Sequence, residues 1–123
     1  MNPIIEWRTI GNQRYLTLCF YGRFSSESAY HSISSLSPLI AEHEGQLTMI
    51  WECTKMIGYD LSARDAWQIF IKNFKSKIET IHLVSNNYLI RTGAMVIGAF
   101  TGIKICSWEH IDDLLKQKLS YVD

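Results

Sequence analysis

The sequence predicts an α/β fold in a single domain, built on a small and largely parallel sheet. Three observations carry that expectation. From residue 26 onward, stretches with a helical period alternate with short apolar runs of strand length, the order that right-handed crossovers turn into parallel strands. The residues before it hold two β-prone runs around a polar break, which adds an antiparallel hairpin at one side. The 123 residues, 47% hydrophobic and 20% charged, suffice for one hydrophobic core and make a second domain unexpected.

Taken in order, Ile4 to Ile10 and Tyr15 to Tyr21 are the hairpin strands, joined by Gly11-Asn12-Gln13-Arg14. Ala29, Ile33, Leu36 and Ile40 then recur on one helical face, and Ser25 or Ser26 can cap the first amides. Pro38 is expected to kink or shorten that helix. The run Leu47-Thr48-Met49-Ile50-Trp51-Glu52-Cys53 reads as a central strand buried on both faces. The most regular helix follows, with Ala63, Ala66, Trp67, Phe70, Ile71, Phe74 and Ile78 on its apolar face. Ser62 and Asp65 have the spacing of a capping box, and Asp60 is the alternative cap.

Ile81 to Ser85 forms the next strand, and Asn86 is the expected cap of a helix carrying Leu89, Gly93, Val96, Ile97 and Phe100. Gly93, Ala94, Gly98 and Ala99 lie in that helix, and because glycine costs helix propensity their use is close approach to a neighbour. Thr101-Gly102 ends it and Ile103 to Cys106 is the last strand. Ser107 caps a final helix that turns Ile111, Leu114 and Leu115 inward.

Composition excludes several functions. Twelve basic and twelve acidic residues leave no net charge, so the broad positive field behind non-specific nucleic-acid binding is missing. No uncharged apolar stretch approaches the ~20 residues of a membrane span, and the start, Met1 to Arg8, does not read as a secretory signal, so a cytoplasmic location is expected. Cys19, Cys53 and Cys106 form no CxxC pair and sit in apolar runs, as buried reduced thiols do. His31, His43, His82 and His110 are scattered without metal-ligand spacing, and Gly93 to Gly98 lacks the lysine and turn of a phosphate loop. No metal or cofactor is expected. A thiol and imidazole pair is least implausible for Cys53 and His82.

The order of elements resembles the STAS domain of bacterial anti-anti-sigma factors, and more narrowly the SpoIIAA-like family of small STAS-fold proteins. The resemblance rests on the strand Leu47 to Cys53, the loop Gly58-Tyr59-Asp60 before the helix with Trp67 and Phe70, the strand Thr80 to Val84, and Phe100-Thr101-Gly102-Ile103-Lys104-Ile105. It implies a small mixed sheet covered mainly on one face by about four helices, and a regulatory rather than an enzymatic role. Anti-anti-sigma factors carry Asp-Ser-Ser-Gly after the corresponding strand and are switched by phosphorylation of the first serine. Here Asp60-Leu61-Ser62-Ala63 stands there, with leucine in the acceptor position. The usual phosphoswitch is therefore not expected, and Ser62 reads more readily as a cap.

In open α/β folds ligands collect at the carboxyl ends of the strands. That edge here carries Lys55, Tyr59, Asp60, Ser62 and Arg64 after one strand, and Asn86, Asn87 and Arg91 after the next. A protein-interaction module using this edge is the leading expectation. The alternative is a small carrier or sensor of an apolar, lipid-like ligand held between helices and sheet, which the likeness of STAS folds to lipid-binding Sec14-like domains implies by analogy. A homodimer is left open.

Overall fold

The computed structural model describes residues 2–120, with side-chain surroundings for residues 2–117. Strands β1 (Ile4–Ile10), β2 (Gln13–Phe24), β3 (Leu47–Tyr59), β4 (Ile78–Val84) and β5 (Lys104–Trp108) form one sheet in the order of the chain. β1 and β2 are antiparallel, and each later neighbour pairs in parallel. Helices α1 (Ser26–Glu42), α2 (Leu61–Asn73) and α3 (Tyr88–Thr101) make the crossovers, and α4 (Ile111–Ser120) follows β5.

Alternation along the strands divides the side chains between two layers. Leu16, Leu18, Met49, Trp51, Ile81 and Leu83 face α1, α2 and α3 in the main core, with Trp67, Phe70, Ile71, Ile90 and Ile97 of the helices. Three successive crossovers in one direction along a sheet all fall on one face when each is right-handed. The other face carries Tyr15, Ile50 and Val84, which with Ile10 and Leu114 of α4 form a smaller core. The sheet is thus covered by three helices on one side and one on the other.

Several boundaries differ from the sequence reading for identifiable reasons. The hairpin loop is Gly11-Asn12 alone, with Gly11 at φ 64°, because Gln13 and Arg14 pair with Ile10 and Thr9. Pro38 lies inside α1 without ending it. Both Pro38 and Ser34, four residues before it, are exposed, so solvent takes up the missing bond. α2 stops at Asn73, short of the predicted Ile78: a 3₁₀ turn, Lys75–Lys77, intervenes, and Ile78 is a buried first residue of β4.

α3 is rotated from the predicted face. Ile90, Gly93, Ala94, Ile97 and Thr101 are buried, whereas Leu89, Val96 and Phe100 are exposed. A helix apolar nearly all round gives no period from which its inner side can be read. Phe100 instead lies beneath the Lys72 ammonium, 4.5 Å from the ring centre. Ser107 lies within β5 and does not cap α4.

Trp67 packs edge-on against Phe20, Phe24 and Trp51 at centroid separations of 5.9, 5.4 and 6.0 Å, and Phe70 lies 5.2 Å away. Trp67→Ala and Phe70→Ala are each expected to cost roughly 3–5 kcal/mol in chemical denaturation. On α3, Ile90→Ala is expected to cost about 2–5 kcal/mol, while its neighbour Leu89→Ala should stay within about 0.5 kcal/mol. Equal losses at these two positions would contradict the observed rotation.

Candidate functional site

The site begins with a mismatch of strand lengths. β3 pairs with β4 as far as Glu52 and Val84, yet it continues beside β2 until Phe24 faces Tyr59. The structure therefore extends β2 and β3 beyond Tyr21 and Cys53, and the expected loop Gly58-Tyr59 is strand. Register shifts near Phe20 and at Gly22 to Arg23 bend this overhanging ribbon, as bulges do. Arg23 fastens its tip: Nε donates to Asp60 Oδ1 at 2.7 Å and the guanidinium also donates to the Tyr59 carbonyl at 3.2 Å.

Beyond Val84 the ribbon has no sheet neighbour on that side, and the first turns of α3 take its place. The Tyr59 hydroxyl donates to the Leu89 carbonyl at 3.2 Å. Gly93 permits this approach, since a Cβ there would lie 2.6 Å from the tyrosine oxygen. Between ribbon, α2 and α3 remains a cavity of about 50 Å³, walled by Phe20, Trp51, Trp67, Leu83, Ile90 and Ile97. Met56, Tyr59 and Arg64 are its partly exposed lining residues and mark its mouth.

Of the predicted edge residues, Tyr59 and Arg64 therefore meet at the cavity. Asp60 occupies the N-cap position of α2 but makes no side-chain cap bond, because its carboxylate is held by Arg23. Ser62 bonds the hydroxyl of Ser26 at the start of α1, so neither half of the expected capping box forms as such. The cap of α3 is Asn87, whose Oδ1 accepts from Leu89 and Ile90 amides at 2.9 and 3.2 Å, and the exposed Asn86 precedes it. Arg91 lies on the next turn, 4.0 Å from Glu109, and Lys55 is exposed on the ribbon. Sequence reasoning missed Trp51, Met56 and Ile90 as cavity walls. The signal present was Gly93 inside a helix, which marks where another chain segment comes close.

Two buried N–H groups of residues around the cavity lack partners among the described residues. Trp51 is 3% exposed, and its Nε1 finds no acceptor among the described residues; neither does the buried Nε of Arg64. The nearest carboxylate to that guanidinium is Asp65, 3.6 Å from its terminal nitrogen. No aspartate or glutamate lines the cavity. Gln68 Oε1, one turn farther along α2, is also buried without a partner but lies outside the lining.

Cys53 and His82 do not meet. Cys53 belongs to the main core, whereas His82 points to the opposite face, where its Nδ1 accepts from Trp108 Nε1 at 3.0 Å and Tyr15 packs against its ring. Burial, with Glu52 as a lesser cause, holds the Cys53 thiol far above the ordinary range, so it is neutral near pH 7. The sheet between them removes the pair as a nucleophile and base. Among the described residues no three His, Cys, Asp or Glu side chains converge as a metal-holding group.

Two measurements follow from this geometry. Gly93→Ala is expected to lose about 1–3 kcal/mol, since its Cβ overlaps Tyr59, and the loss should shrink in the background of Tyr59→Ala, which removes the clashing ring. For Cys53 the folded state favours the protonated thiol, so the stabilisation is complete below the unfolded value of roughly 8.5 and is lost as pH rises above it. Cys19 and Tyr15 are shifted the same way by burial. Denaturation at pH 7 and pH 10 should show a smaller alkaline loss for Cys53→Ala than for the parent.

No family model matches the sequence. No curated protein matches it either. Among solved structures the chain is similar to an uncharacterised protein of the DUF3478 family with a SpoIIAA-like fold from Shewanella loihica PV-4, with a TM-score of 0.74 and 15% sequence identity. The match covers 99% of this chain and 94% of that one. A likeness of that extent at that identity establishes architecture: the chain has the SpoIIAA-like, STAS-type fold, with an antiparallel opening pair and a parallel remainder.

Proposed function

We propose that this protein is a non-enzymatic, cytoplasmic regulatory module of STAS type that binds a protein partner through the edge where β3 and β4 run into α2 and α3. The observation that carries the reading is a group of exposed apolar side chains on the elements around Tyr59 and Arg64. Ile57, Leu61, Tyr88 and Leu89 are 76, 64, 79 and 68% exposed, all at strand ends or helix starts of this edge. Scattered exposed apolar groups are ordinary, but several beside tyrosine and arginine make a surface suited to interface anchors. Leu61 stands where the family's phosphoacceptor would be, so occupancy of the edge, rather than phosphorylation, is the regulatory event. The zero net charge favours a protein over a nucleic acid. A second copy of the chain is a further outcome to be distinguished by mass in solution.

A second reading, a module that holds a small apolar ligand, is favoured by the cavity beneath α2 and α3. As it stands that space takes a compact group and not a whole acyl chain, since an engineered cavity of about 150 Å³ is filled by one benzene.

The test of the leading reading is Leu61→Ser with Leu89→Ser, alongside Asp60→Ala with Arg91→Ala. Leu61→Ser with Leu89→Ser should leave thermal stability nearly unchanged, as exposed substitutions stay within about 0.5 kcal/mol each, and Asp60→Ala with Arg91→Ala should lose no more than about 1 kcal/mol for each ion pair removed, those to Arg23 and Glu109. Both doubly substituted forms should abolish capture of the partner retained by the parent protein. Equal retention by all forms, or none by any, would remove the edge as an interface and put the ligand reading first.

A further inference from the structure

We infer that the free edge of β1 is a self-pairing surface, through which two copies of the chain join as an antiparallel, twofold-symmetric extension of the sheet. β1 ends the sheet, so one side of its backbone has no strand neighbour, and Ile4, Glu6, Arg8 and Thr9 along it are exposed. The hairpin fixes which groups face outward. Gly11 has φ 64° and Asn12 a negative φ, as in a type II′ turn, so Ile10 and Gln13 exchange the closing backbone hydrogen bonds. The register with β2 runs without a bulge from that pair to Ile4 and Cys19, and antiparallel partners alternate between bonded and non-bonded pairs. Ile10, Arg8, Glu6 and Ile4 therefore bond to β2, whereas Thr9, Trp7 and Ile5 turn their N–H and C=O groups to the open side. Those outward groups have no backbone partner among the described residues, and such a row is a template for another strand.

Charge selects both the occupant and the register. Outward-facing residues must lie opposite one another, so the twofold axis can pass through any residue from Ile5 to Thr9. An axis at Glu6 or Arg8 sets that residue against its own copy, a like-charge contact that disfavours pairing. An axis at Ile5 or Thr9 pairs only one end of the strand. An axis at Trp7 pairs the whole of β1, and it places Glu6 opposite Arg8 of the second copy and Arg8 opposite its Glu6. These are non-bonded positions, where Cα atoms are about 4.5 Å apart and side chains meet most closely. Neither Glu6 nor Arg8 has an ion-pair partner among the described residues of its own chain. In the same register Ile4, 55% exposed, lies opposite Ile10 of the second copy. Trp7 stacks on His43 at 5.3 Å and carries the Arg14 guanidinium 4.4 Å from its ring centre, so its side chain is drawn onto the helix-covered face. A single strand edge buries less than the roughly 1,200 Å² of a stable interface, so the dimer is reversible and depends on concentration.

The test is the mass of the full chain in solution, by sedimentation and NMR diffusion from micromolar to millimolar concentration. It should rise from monomer to dimer. Amide exchange gives a residue-level readout: Ile5, Trp7 and Thr9 should become protected as concentration rises, while Glu6 and Arg8, bonded to β2, are protected throughout. Glu6→Arg and Arg8→Glu each set like charges across the axis and should weaken the dimer at least about tenfold. An equimolar mixture of these two variants, in which every cross-strand contact is again between opposite charges, should recover it. Thr9→Pro removes an outward N–H that the monomer does not use, and should prevent pairing while the fold survives, as thermal melts will show. A monomer at every concentration overturns the proposal. So does a dimer that persists with Glu6→Arg and Thr9→Pro, or one lost with Leu61→Ser and Leu89→Ser instead, because the contact then lies elsewhere. Failure of the mixture to recover the dimer refutes the charge-paired register.

Discussion

The feature on which the rest depends is the parallel pairing of β2 with β3, which outruns every other pairing in the sheet. Because it continues from Glu52 to Tyr59 without β4 alongside, the sheet ends in a two-stranded ribbon rather than a straight edge. A two-stranded ribbon is marginal alone, and this one is bound at its tip by Arg23 and on its flank by α3 through Tyr59. The helix can come that close only because Gly93 has no side chain at the contact. Strand length, bulge, glycine and tyrosine form one arrangement, and the cavity is the volume that their curvature leaves unfilled.

The two faces of the sheet do different work. The face under α1, α2 and α3 holds nearly all of the aromatic packing and also the cavity. The opposite face is covered by a single helix over a small core, and its polar members are drawn inward as a linked set: Tyr15 beside His82, and His82 accepting from Trp108. A buried imidazole with a fixed partner locks one ring orientation. The histidine that invites a catalytic reading in sequence is thus part of how α4 is seated.

Much of this is legible in the amino-acid sequence alone. Strand and helix order follow from period alone, since Ala29 to Ile40 and Ala63 to Phe70 repeat as helices while Leu47 to Cys53 does not. What escaped are features that period does not encode. Lys55, Gly58 and Tyr59 look like a loop because the ribbon is half solvated, and its strand character comes from pairing with residues 35 positions earlier, as between Phe24 and Tyr59. The rotation of α3 escaped because Leu89, Val96 and Phe100 are as apolar as the residues that are buried. At the site, Tyr59 and Arg64 were identifiable as edge residues, but the walls were not, since Trp51 and Met56 become cavity lining only once the ribbon bends.

The cavity and the exposed edge are not independent features, and energy indicates why they coincide. An unfilled volume of about 50 Å³ forfeits roughly 1 kcal/mol of packing. A protein interior normally closes such gaps by small shifts of its side chains. Here closure would require α3 to move toward the ribbon, and the contact of Tyr59 with Gly93 already blocks that path. Filling the space from outside would restore that packing without moving the sheet, among the residues that fix the angle of the ribbon and the first turn of α3. Leu89, whose carbonyl receives the Tyr59 hydroxyl, is also one of the exposed apolar groups of the edge. On the readings proposed above, a ligand that shifted Tyr59 would act on the proposed partner surface through that hydrogen bond.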